Sequence, residues 1–112
     1  MTQLRAMALS LPGVEERLCH GTSAFYVRNK IFARLQEDEE HISVAFPKAE
    51  RDALIDRHPD VFSFTDHFAN YDYVLMNLSA ASAALARQRF EGAWRLKAAK
   101  RAIALYDGRT KS

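Results

Sequence analysis

The chain has 112 residues, of which 48% are hydrophobic and 27% charged. These proportions exclude general disorder, and no apolar run approaches the ~20 residues a bilayer-spanning helix needs. The net charge of +2 is uneven: residues 1–84 carry 8 Lys and Arg against 12 Asp and Glu (−4), and residues 85–112 carry 8 against 2 (+6).

Leu4, Met7, Ala8 and Leu11 recur at helical spacing, so an amphipathic helix is expected over residues 2–10, stopped by Pro12-Gly13. Residues 15–22 are polar and read as irregular. Residues 23–28 are aromatic and β-branched, as a strand prefers. Asn29-Lys30 reads as a tight turn into a strand over 31–36, with Ile31, Ala33 and Leu35 on one face and Phe32 and Arg34 on the other. The acidic tetrad Glu37-Asp38-Glu39-Glu40 reads as a second turn. A third strand over 41–46 places Ile42, Val44 and Phe46 opposite His41, Ser43 and Ala45.

Pro47 opens a surface helix over 48–57, which His58-Pro59 ends. A short strand is expected over 61–65 and a loop over 66–70. The next strand, 71–78, carries Val74, Met76 and Leu78 on one face and Tyr71, Tyr73 and Leu75 on the other. Ser79 or Ser82 caps a last helical region reaching about residue 106, with Leu85, Ala93 and Leu96 as its apolar stripe. Gly92 inside that helix implies close packing or a bend. The polar tail, 107–112, is the one segment expected to be disordered.

The order α-βββ-α-ββ-α predicts an α+β, two-layer fold. Its antiparallel sheet has about five strands, with helices on one face. The other face is then wet or covered by a partner. A single domain over 1–112 is expected to fold without disulfide or metal. Cys19 is the only cysteine, which fits a reducing cytoplasm, and no secretion signal is read at the N-terminus.

Catalytic motifs are not found. His20, His41, His58 and His67 form no HxxxH or HxH pattern, and the glycines do not cluster. The expectation is therefore no enzyme, no cofactor and no metal. The basic end gives the best candidate site: Arg87, Arg95, Lys97, Lys100 and Arg101 as phosphate-binding cations, with Trp94 as a stacking or core residue. The alternative for these cations is surface pairing with Glu37–Glu40 or the acidic residues around Asp52, and for Lys100 and Arg101 the favourable last turn of a helix. His67 is either a binding residue or a loop hydrogen-bonder.

The run Leu9-Ser10-Leu11-Pro12-Gly13-Val14-Glu15-Glu16, followed by Gly21-Thr22-Ser23-Ala24-Phe25-Tyr26, resembles the start of the MmcQ/YjbR-like family. Arg51-Asp52-Ala53-Leu54, Pro59-Asp60-Val61-Phe62, His67-Phe68-Ala69-Asn70-Tyr71 and Ala93-Trp94-Arg95-Leu96 continue the resemblance in order. Ser23 and Ala99 stand where the family commonly has proline, and Ala99 would let the last two helical segments run together. The resemblance implies a secretion-chaperone-like α+β fold and the DNA-binding, "double wing" description attached to the family. Three readings stay open: sequence-independent DNA or other nucleic-acid binding through the basic C-terminal helix, a protein- or peptide-binding module using the open sheet face with Phe25, Tyr71 and Tyr73, or an enzyme or small-molecule binder without a recognisable motif.

Overall fold

The alternating residues 41–46 and the apolar run at 73–77 build the centre of an antiparallel sheet. A computed structural model describes residues 2–110, with side chains for 3–108. Its elements are α1 (Thr2–Leu9), β1 (Glu15–Cys19), β2 (Thr22–Val27), β3 (Lys30–Leu35), β4 (His41–Ala45), α2 (Lys48–Arg57), β5 (Phe62–Ser63), a 3-10 turn (Asp66–Phe68), β6 (Tyr73–Asn77), α3 (Ala83–Lys97) and α4 (Lys100–Thr110). One antiparallel sheet runs β1-β2-β3-β4-β6-β5. The chain is thus α+β as expected, with six strands and four helices among the described residues.

Register fixes the two faces. Ile42 pairs with Met76 and Val44 with Val74, so these four share a face, and all are fully buried. Phe25, Ala33 and Leu35 join them through the β2–β3 and β3–β4 registers. Helix α3 lies across β3 and β4, α1 packs on α3, and α2 packs on β5 and β6. Removing this apolar surface from water is the main stabilisation of the sheet. The opposite face carries Arg34, Ser43 and Leu75, paired in register. Arg5 on α1 binds Glu16 of β1 at 2.7 Å, and Ser23 of β2 donates to the same carboxylate. The Arg5 hydrogen bond is the chief reason that carboxyl sits below its ordinary pKa.

Several expectations are corrected. Residues 15–19 are an edge strand, not irregular chain. An edge strand half in water needs no apolar alternation, so its polar sequence concealed it. The β2–β3 turn is Arg28-Asn29, both at positive φ (54° and 62°), one residue before the expected pair. A bulge opposite Phe25 and Tyr26 leaves Phe32 unpaired, sending Phe32 to the core and Ile31 to the uncovered face. The buried stripe of α3 is Ala86, Phe90, Ala93 and Trp94, and Leu96 is exposed.

Nor do the last two helices merge. Ser82 caps α3, accepting from the Leu85 N–H at 3.1 Å, and Ala98 ends it in an extended conformation (ψ 158°). The fold-back sets the ring of Tyr106 edge-on to Trp94 at 5.2 Å and binds Asp107 to Arg95. Residues 107–110 of the supposed disordered tail are therefore helical, while 111–112 lie outside the described residues.

Gly92 is neither tightly packed nor at a helix end. A Cβ there would meet only the Arg89 guanidinium, at 4.0 Å. Gly92→Ala should raise the unfolding free energy by about 0.8–1 kcal/mol, the difference in helix propensity. Urea denaturation checks this, and a loss of stability would mean that α3 needs the glycine.

Candidate functional site

The C-terminal cations have different surroundings. Arg95 hydrogen-bonds Glu91 (3.0 Å) and Asp107 (3.2 Å from Nη1), and these partners, Asp107 first, raise its pKa above the ordinary guanidinium value. Lys97 lies 5.7 Å from the ring of Tyr73. Arg87 is exposed two turns before Arg95, beside Gln88 and His58. Lys100 and Arg101 are exposed but open α4 instead of closing a helix. There the macrodipole opposes a cation, so the expected dipole stabilisation is reversed. Trp94 is completely buried, and its indole N–H donates to Pro12 O at 2.9 Å. It is a core residue bridging α3 to the turn after α1.

A different cluster forms on the sheet face that the helices leave uncovered. A 280 Å³ concavity there is lined by Cys19, His20, Ile31, Arg34, Gln36, Ser43, His67, Phe68, Tyr71 and Tyr73. Strand alternation places Arg34 and Ser43 on this face, directly paired across β3 and β4. Gln36 donates to both Arg34 O and Ser43 Oγ at 3.2 Å, fixing the floor. The Arg34 side chain is only 14% exposed. Its Nε donates to Cys19 O at 3.1 Å and its Nη2 to Glu37 at 2.8 Å. The Arg34 hydrogen bond is the main cause of the lowered Glu37 pKa. The Tyr73 hydroxyl donates to Ile31 O at 2.9 Å, and burial, then Asp72, raises its pKa.

The far wall is the segment between β5 and β6. His67 packs edge-on against Phe68 (4.9 Å) and lies 6.2 Å from Tyr71. It makes ring contacts and no hydrogen bond among the described residues, so it does not hold the turn. Arg51 does. Its guanidinium, on buried α2 surface, donates to Phe68 O (2.9 Å), Ala69 O (3.0 Å), Tyr71 O (3.1 Å) and Tyr73 O (3.1 Å). It also stacks on Phe64 at 3.9 Å. Five donors in a planar fork suit this convergent carbonyl set.

Of the aromatic residues assigned to the open face, Tyr71 and Tyr73 are there. Phe25 is not: it is fully buried and packs on Phe90 at 6.5 Å, on the helix side. Sequence reading missed Arg34, Gln36 and Ser43 as site residues, although their alternation opposite Ala33, Leu35 and Val44 was the available signal. Asp38, Glu40 and His41 bring possible ligand atoms within 4.8 Å of one another on an exposed turn. Asp38 already accepts from the Glu40 and His41 N–H groups and contacts His41 Nδ1, so the grouping is explained as a turn.

No helix among the described residues is long and apolar enough to cross a membrane. A search of curated proteins finds no match. The fold is similar to the crystal structure of Deinococcus radiodurans protein DR2400, a DUF419 domain, with a TM-score of 0.69 and 20% identity over 83% of this chain and 74% of that one. The YjbR family model matches residues 9–96, which take in every strand and the whole concavity. The chain is a member of the YjbR family.

Proposed function

We propose that this domain is a non-enzymatic peptide-binding module and that its uncovered sheet face is the binding surface. The observation that carries the reading is the concavity: one guanidinium, two imidazoles, a floor of fixed polar groups and walls of Phe68, Tyr71 and Tyr73. A few placed polar groups among aromatic surface is how ligand sites achieve both affinity and orientation. At 280 Å³ it is small for enclosing a free ligand and suits one or two side chains of a longer one. Its rim at Cys19-His20 ends β1, the edge strand, so a chain leaving the pocket meets unpaired strand backbone.

A second reading keeps the nucleic-acid role. Arg87, Lys100 and Arg101 are exposed, and two of them sit at a helix N-terminus, where phosphate is favoured. One experiment separates the readings. The protein is titrated on an array of random decapeptides and, by fluorescence anisotropy, against labelled duplex DNA and single-stranded RNA at several salt concentrations. The peptide reading expects array binding that Tyr71→Ala abolishes, with no nucleic-acid binding at physiological salt. Steeply salt-dependent DNA or RNA binding, lost on changing Arg87, Lys100 and Arg101 to alanine, would overturn it in favour of the second.

A further inference from the structure

Building on the peptide-binding reading, we propose that the concavity anchors a carboxylate carried beside an aromatic residue of the bound segment. The ionisable side chains lining it that can be cationic are Arg34, His20 and His67, and no carboxylate is among the lining residues. The pocket is thus one-sided in charge. Arg34 is the anchor. Its Nε and Nη2 are engaged by Cys19 O and Glu37, while Nη1 has no hydrogen-bond partner among the described residues. Glu37 is 69% exposed, so its ion pair is at the rim and of the weak, solvated kind. A ligand carboxylate meeting Nη1 would gain a charge-assisted hydrogen bond. Phe68, Tyr71, Tyr73 and Ile31 supply the surface for the neighbouring ring, whose faces and edges prefer offset or edge-on contact.

The test uses two isosteric peptides, acetyl-Ala-Phe-Glu-Ala-amide and its Gln counterpart, with N-acetylphenylalanine as a free acid. Binding is read from amide chemical shifts of the intact protein. The Glu peptide should bind about tenfold or more tightly than the Gln peptide. Arg34→Gln should erase the preference, and His67→Ala, at an exposed position, should reduce it while the protein stays folded. Equal binding of the two peptides, or a preference that survives Arg34→Gln in a folded variant, would overturn the carboxylate anchor. That result would leave peptide binding itself, which the decapeptide array measures independently, intact. N-acetylphenylalanine binding as tightly as the Glu peptide would overturn the peptide source and make the site one for free organic acids.

Discussion

Trp94→Ala should lower the unfolding free energy by about 3–5 kcal/mol, the range for removing a large buried aromatic. Three losses combine. The side chain is fully buried among Ala93, Phe90 and the residues around it in the core. Its N–H bond to Pro12 O ties α3 to the turn after α1, and the carbonyl left behind loses its partner. Its ring supports Tyr106, so α4 loses its main aromatic contact. Trp94→Phe keeps most of the packing and should cost less, about 1–3 kcal/mol, from the lost hydrogen bond and volume. Urea denaturation of both variants measures this. Unchanged stability with lost ligand binding would instead make Trp94 a contact residue.

Arg51→Met should be comparably damaging, about 3–5 kcal/mol, because several buried carbonyls lose their donor at about 1–3 kcal/mol each. Arg51 is 5% exposed and has no carboxylate partner among the described residues; four carbonyl dipoles hold its charge. Removing it strands those carbonyls and frees the segment that carries His67, Phe68 and Tyr71. Hydrogen exchange at the amides of Phe68, Ala69 and Tyr71 should therefore accelerate more than at β2 or β3. Arg51→Lys should recover less than half of the loss, because a single ammonium cannot span four acceptors in a fixed plane. Uniform exchange throughout the variant would show that Arg51 acts on global stability alone.

The strands that pack on both sides were legible because alternation is strong where one face meets helices. Residues 41–45 follow that rule, residues 73–77 were legible as a short run of apolar and aromatic residues, and the opening of α2 was legible from Pro47. Alternation fails where the physics differs. Glu15–Cys19 lies at an edge with its side chains largely in water, so the apolar period is absent. Phe32 reaches the core only through a bulge, a backbone irregularity without a residue signature here. The break at Ala98-Ala99 contains neither glycine nor proline. Tertiary contacts favour it: Tyr106 on Trp94, and Asp107 on Arg95, require α4 to turn back on α3. Local propensity alone would continue the helix.

The site divides in the same way. Arg34 and Ser43 are placed by period two, and Tyr73 by its strand. His67 and Tyr71 arrive from a segment about thirty residues later, set by an arginine on another helix, and no sequence spacing encodes that meeting. The cations at 87, 95, 97, 100 and 101 are close in sequence and looked like one stripe. The break at Ala98 divides them between two helices, and Arg95 is paired with Glu91 and Asp107.

If the peptide-binding proposal holds, partners engage the sheet face that the helices leave uncovered. Amide proton–nitrogen correlation spectra of the whole chain, titrated with the tightest binder from the decapeptide array, test it most directly. The predicted result is a contiguous set of shifted amides at Cys19, His20, Arg34, Ser43, His67 and Tyr71. Shifts gathered instead on Arg87, Lys100 and Arg101, with the strands of the open face unmoved, would contradict it.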